Sequence, residues 1–372
     1  YMLHRYGKAV LLVIVVAIAL AAGIILWYYH NAYSRETSTL RMAISTDIRT
    51  LDIAFGTGVE DFEVLGNVYE TLFRIVYDPV EDRLNYIPWL AEGYVAVNDT
   101  FYMFKLREDV VFHNGRRLTA YDVNASILRA IKLGGIPKML FTDTKGESII
   151  SQIVVFNETW FGIKLRKPFA PLIEHLAHLS IAIMPREIAE KYPNEMITDI
   201  SDVVGTGPYR IVNWDRGYKV ELSKFDKYWR GNPKIDKIEY LVMPDPNARV
   251  AALETGQADI VVGVPQEPQV IDRLRSEGYL VIVAPVVRHV IVAINVQRIP
   301  DVRIRLAFNY AVDKKAIVDN VMNGFAEISR SVISTRFPGS VELQPYDFDP
   351  AKARELLAEA GGVNRTLTLL VS

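Results

Sequence analysis

From Gly205 to Ile260 the chain is written in short β segments, turn glycines and one helix, and that alternation restricts it to an α/β architecture. Gly205-Thr206-Gly207-Pro208-Tyr209-Arg210 and Trp214-Asp215-Arg216-Gly217 read as strand and turn. Phe225-Asp226-Lys227-Tyr228-Trp229-Arg230-Gly231-Asn232-Pro233 follows. The segment Asn247 to Leu253 reads as a helix that buries Val250 and Leu253 and stops at Gly256. Nothing here pairs a nucleophile with a base or spaces ligands for a metal. At 372 residues the chain exceeds one typical core, so two or more lobes are expected.

The remaining elements alternate in kind as well. Thr39 to Ser45 and Tyr102 to Leu106 alternate as half-buried strands, with the loop Asp47 to Gly58 after the first. Asp61 to Val76 has a helical stripe of Phe62, Leu65, Val68, Tyr69 and Leu72. Asn114-Gly115 marks a turn, and Thr119 opens a helix with Asp122 in its first turn, at the positive end of the dipole. Ser151 to Leu165 holds two strands. Val281 to Ala284 and His289 to Asn295 read as buried strands, and Asp301 to Asn309 begins a helix. Pro350 to Gly361 places proline at a helix start and glycine at its stop. Thr366 to Val371 reads as a last strand.

Ala9 to Tyr29 carries no charge, and about 20 such residues cross a hydrocarbon core of ~30 Å as a helix. Arg5 and Lys8 precede it, and Trp27, Tyr28 and Tyr29 cluster at its far end like an interfacial belt. The expectation is an uncleaved anchor with residues 1–8 in the cytoplasm and the bulk of the chain outside the cell. Two rivals stay open: a signal peptide cleaved near Ala21-Ala22-Gly23, and a pilin-like helix in a filament core.

Lys+Arg at 42 against Asp+Glu at 44 leaves no basic surface for nucleic acid and no acidic tail. The absence of cysteine excludes disulfides, thiolate catalysis and a lipid-modified cysteine anchor. Four N-x-[ST] sequons, at Asn98, Asn124, Asn157 and Asn364, agree with an exterior location. With the anchor, they suggest an archaeal-type glycoprotein of the cell surface.

A set of motifs in fixed order carries a family resemblance over nearly all of residues 40–372. They are Tyr69-Glu70-Thr71-Leu72, Pro88-Trp89-Leu90-Ala91-Glu92, Phe104 through Gly115, Leu118 through Val123, the Gly205 to Ile260 stretch, Asp301 through Lys314, and Asp349 through Gly361. Together they resemble the extracellular solute-binding proteins of peptide and nickel ABC importers, solute-binding family 5. The resemblance implies a two-lobed periplasmic-binding-protein-like fold, class II in type, with an extra subdomain. Laid on this chain behind the anchor at 9–29, it gives a stalk at 30–38 and lobe I at 39–290 with an inserted subdomain at about 85–200. The first part of lobe II follows at 291–372. Members continue further, so a fragment of a longer protein is the leading expectation; a second chain or a degenerate member are the others.

In that family the loop after the first strand faces the cleft, which makes Thr46, Asp47, Thr57 and Gly58 the expected ligand-side residues. Asn295 ends the interlobe strand and is either a ligand contact or a hinge. His175 and His178 beside Glu174 share a helix face, but their leucine neighbours describe an ordinary amphipathic helix and no metal is expected. Gly56-Thr57-Gly58 and Gly205-Thr206-Gly207 do not extend into phosphate-loop motifs. Tyr69, Glu70, Tyr209, Trp214, Tyr228 and Trp229 read first as packing or capping and second as ligand platforms. No enzyme signature is present and no cofactor is expected. The expected function is capture of a peptide or oligosaccharide for an ABC permease. The other reading is a structural, filament-forming surface protein on the same fold. Homo-oligomers and the identity of the solute, nickel complexes included, are left open.

Overall fold

The computed structural model describes residues 37–284, 286–363 and 366–370. The expected anchor at 9–29 and the sequon at Asn364 lie outside them. Among the described residues no helix is long and apolar enough to cross a membrane.

Two sheets and a hairpin organise residues 37–262. Strand β1 (Thr39–Ile44) enters the first sheet. The chain then makes a hairpin, β2 (Phe73–Asp78) and β3 (Arg83–Pro88), and a four-stranded antiparallel sheet. That sheet comprises β4 (Ala91–Asn98), β5 (Phe101–Leu106), β6 (Ile150–Val155) and β7 (Trp160–Leu165), in the order β4-β5-β7-β6. It returns to the first sheet as β8 (Tyr209–Asp215), β9 (Lys219–Lys224), β10 (Lys237–Val242) and β11 (Ile260–Val261). The first sheet has the order β11-β1-β10-β9-β8, with β1 parallel to both β10 and β11.

Period-two alternation makes the first sheet one-sided. Tyr209, Ile211, Val220, Leu222, Ile238 and Tyr240 are buried on one face. The other face carries a charge ladder in which Lys237 meets Glu221 at 2.7 Å and Glu239 at 2.9 Å. The core under this sheet draws on Ile44 to Tyr69 and on Ala182 to Tyr240. A second core draws on Leu72 to Ile183 and surrounds Phe104 and Phe161, stacked at 5.0 Å. The inserted unit thus leaves the first core between Tyr69 and Leu72 and rejoins it near Ala182. Helix Ala120–Leu133 covers its sheet, started by a capping box of Thr119 and Asp122, as the spacing predicts.

The predicted helix over Asp61–Val76 is cut short. It runs only from Val59 to Leu65 and is capped at Gly66. Val68, Tyr69 and Leu72 are buried in turn and irregular chain instead. The reason is competition for their backbone groups: Val68 O accepts from Gly207 N at 2.9 Å, Asn67 O from Tyr209 N at 3.0 Å, and Glu70 O from Ile183 N at 2.9 Å. Gly205 and Gly207 allow this crossing because a Cβ on either would overlap the carbonyls of Val68 and Asn67.

His113 seals the crossing. Its Nδ1 accepts from Gly205 N at 3.3 Å, so Nε2 carries the proton it donates to Gly207 O at 2.9 Å. Burial pulls its pKa down to about 4. A histidine depressed from 6.5 stabilises fully above that pH and loses its contribution, about 3 kcal/mol, as pH falls through about 4. The expected NMR result is a His113 ring still neutral at pH 5; a midpoint at 6 or above would contradict this burial.

Beyond Val261 the described residues contain no strand. The predicted buried strands at 281–284 and 289–295 are corrected to largely exposed coil, with Val290, Ile291 and Val292 91%, 75% and 70% accessible, and the described part of the predicted last strand, 366–370, is exposed coil too. Apolar β-prone residues mark a preference for a sheet, but a strand exists only where a neighbour accepts its ladder. The two helices predicted in this region do form, and a third, Pro268–Ser276, was not predicted. Val302–Ala311 starts from its Asp301 cap, and Pro350–Glu359 packs against it through Ala307, Ala353 and Leu356.

Candidate functional site

In open α/β sheets ligands bind outside the carboxyl ends of parallel strands. Here β1, β10 and β11 deliver Ser45, Met243 and Val262-Gly263 to one edge, and the β8–β9 turn reaches the same edge because Asp215 pairs with Lys219 and Lys219 with Leu241.

The loop after β1 is fixed by one carboxylate that sequence reasoning did not single out. Asp61, 1% exposed, accepts from Arg49 N at 2.7 Å, Thr57 N at 3.0 Å and Gly58 N at 2.9 Å. Three backbone bonds to one charged acceptor hold the loop in a single shape. An acidic residue three positions after Gly58, at a helix start where it can reach back to the N-cap N–H, was the available signal. Thr57 is exposed and its hydroxyl accepts from Arg49 Nη1 at 3.3 Å. Glu60 accepts from the Ser45 hydroxyl at 2.5 Å.

Asp47 is tied to the neighbouring turn. Its carboxylate accepts from Trp214 Nε1 at 3.0 Å and from Gly217 N at 2.7 Å. Thr46 beside it is exposed. Thr46, Asp47, Thr57 and Gly58 therefore share one loop at the carboxyl edge. Asn295 does not join them: it is exposed in a turn, where its Oδ1 accepts from Gln297 N at 3.1 Å and Arg298 N at 3.0 Å.

Arg249 was also missed. It is 4% exposed, donates to Met243 O at 2.5 Å, Pro244 O at 2.9 Å and Gly263 O, and so clamps the ends of β10 and β11 together. Burial lowers its pKa. No local pattern announces a residue whose partners arrive from two distant strands.

Asn98 and Asn157 are exposed and each forms an Asx turn, accepting from Thr100 N and Thr159 N at 2.9 Å. Asn124 is different. It lies within helix Ala120–Leu133 with its Oδ1 buried, and the Ser126 hydroxyl is spent on Met184. That sequon therefore lies on a packed helix, with Asn124 half-buried, rather than in an exposed turn like the other two. His175 and His178 direct Nδ1 to Leu140 O and to the Ser180 hydroxyl, both at 2.7 Å. Among the described residues no group of three or more His, Asp or Glu could hold a metal ion.

The family described as bacterial extracellular solute-binding proteins, family 5, matches residues 85–371. The chain belongs to this family. Its relatives include the glutathione-binding protein GsiB of Salmonella typhi, 30% identical over 324 residues that cover 86% of this chain and 61% of GsiB. GsiB of Escherichia coli O1:K1 is 30% identical over 337 residues, covering 89% and 63%. DppA of Helicobacter pylori, solved with the peptide STSA, superposes with a TM-score of 0.67 at 23% identity, covering 89% of this chain and 68% of DppA. NikA of Brucella suis, solved with Fe(III)-EDTA, gives 0.66 at 25% identity, covering 88% and 65%. These neighbours are two-lobed, mixed α/β periplasmic binding proteins, and the chain shares their fold over the matched part. The chain spans about three fifths of the length of the curated relatives it matches. Members of the family bind solutes and are not enzymes.

Proposed function

We propose that this chain is the solute-binding part of an ABC importer that captures a peptide-class solute between two lobes and hands it to a permease. The observation that carries this reading is the loop Ser45–Gly58, locked by Asp61 at the carboxyl edge of β1, β10 and β11 in a member of family 5. A preformed loop spends little ordering free energy on binding. Thr46, Thr57, Gly58 and the Asp47-held turn form the lobe I wall in this proposal, with lobe I at 39–290 and lobe II from 291. Asn295 acts from the lobe II side once the lobes close. Closure follows from the solute's greater affinity for the closed state. Residues 9–29 anchor the protein, with the lobes outside the cell and glycans at Asn98 and Asn157. The glutathione-binding relatives favour a short peptide over an oligosaccharide.

Native mass spectrometry of the protein purified from its source, followed by denaturation, tests the reading. The expected result is release of a peptide-class solute, and a melting temperature that rises when glutathione or trialanine is added. Persistent multimers with no solute and no shift would instead favour the structural surface role.

A further inference from the structure

Beside the Asp47 loop, on the same edge, lies an open concavity of about 450 Å³ lined by Leu51, Thr198, Asp199, Ile200, Trp214 and Arg216. Its walls are chemically distinct. Leu51, buried, and Ile200, half-buried, form an apolar floor beside the Trp214 ring. Arg216 stacks over that ring with its guanidinium carbon 4.3 Å from the centroid. It is exposed and makes no salt bridge or side-chain hydrogen bond among the described residues, so its five donors remain available.

The platform under Arg216 is not loose. Trp214 Nε1 is held by both oxygens of Asp47 at 3.0 Å, and Gly217 N is held by the same carboxylate at 2.7 Å. Asp47 therefore fixes the indole and the turn that carries Arg216. Asp199 supplies the opposite charge at the rim. Its Oδ1 accepts from Ser201 N at 2.9 Å and from the Ser201 hydroxyl at 2.8 Å, bonds that keep its carboxyl below the usual range.

We propose that this concavity is a carboxylate subsite of the solute-binding edge, which takes the C-terminal carboxylate of a peptide on Arg216 and the last side chain against Trp214, Leu51 and Ile200. The proposal rests on the transport reading and adds to it which end of the solute lobe I reads. A stacked guanidinium presents a planar fork that matches a carboxylate in two parallel hydrogen bonds. The apolar floor favours a terminal aliphatic or aromatic residue. Asp199 repels a second negative charge, which disfavours phosphate and terminal Asp or Glu.

The test is titration calorimetry on the full chain with Ala-Ala-Phe and with its C-terminal amide. The wild type is expected to bind the free acid at least tenfold more tightly than the amide. R216Q is expected to bind both with the affinity the wild type shows for the amide, at an unchanged melting temperature because Arg216 is exposed. R216K keeps the charge without the fork and is expected to recover only part of the preference. If R216Q retains the full preference for the acid, or if the wild type shows none, the subsite is overturned while transport stands. If the wild type binds neither peptide and no other peptide-class solute, both readings fail together.

Discussion

Glu70→Ala is expected to cost about 4 kcal/mol of folding free energy. The Glu70 carboxylate is 5% exposed and accepts four hydrogen bonds. Trp89 Nε1 lies at 2.7 Å and Tyr228 Oη at 2.8 Å from Oε1; Thr206 Oγ1 at 2.8 Å and Trp229 Nε1 at 3.0 Å approach Oε2. None of these donors is a cation. Burial raises the Glu70 pKa, and the four donors pull it back. The guanidinium carbons of Arg74 and Arg107 lie 4.4 and 4.8 Å from the Trp89 and Trp229 ring centroids. Alanine leaves four donors without that acceptor, two on buried residues (Trp89, Thr206) and two on half-buried ones (Tyr228, Trp229), at about 1 kcal/mol each. Glutamine keeps one oxygen but turns an NH2 toward donors, so about half that loss is expected. Urea unfolding followed by circular dichroism gives the comparison. A loss below 1 kcal/mol for Glu70→Ala would mean that the cage holds nothing together.

Arg129→Ala is the second large effect, about 4 kcal/mol, because it strands the charge of Asp52. Asp52 is wholly buried and Arg129 nearly so; the pair meets at 2.5 Å, and Asp52 also accepts from Ile197 N at 3.1 Å. Arg129 donates further to Tyr192 O at 2.6 Å and Glu195 O at 2.8 Å. One side chain thus ties helix Ala120–Leu133 to the segment after β1 and to the 192–197 return. A double-mutant cycle decides whether the pair is a unit. Asp52→Ala with Arg129→Ala should cost at least 1 kcal/mol less than the two single losses together. Strict additivity would show that the two residues act separately.

These two centres mark how far the sequence could be read. The motifs Tyr69-Glu70-Thr71, Pro88-Trp89, Gly205-Thr206 and Tyr228-Trp229 were visible one by one, and packing was the preferred role for their aromatics. Nothing local showed that all of them converge on one carboxylate, because Glu70 and Trp229 are 159 positions apart. The ligand-side loop was legible only in part. Thr57 and Gly58 are at the edge, but the residue that fixes them, Asp61, read as part of a helix. Asn295 shows the opposite failure, an Asx turn mistaken for the end of a strand.

What the sequence determined alone was everything set by short-range chemistry. The Thr119–Asp122 box, the Asn114-Gly115 turn with Gly115 at φ 85°, the Asp301 and Asp349 caps and the stop at Gly361 each need only neighbours within four residues. The order of family motifs added the fold class. The tertiary structure decided where long-range partners override local preference. Val68, Tyr69 and Leu72 leave a helical pattern because Gly207, Tyr209, Ile183 and Trp89 offer the backbone of residues 67–72 partners from distant segments. Val290 to Val292 keep strand-prone side chains but form no strand, since no described segment lies beside them to complete a ladder. A helix closes its hydrogen bonds within itself, whereas a strand and a buried charge must find partners that only the folded chain brings near.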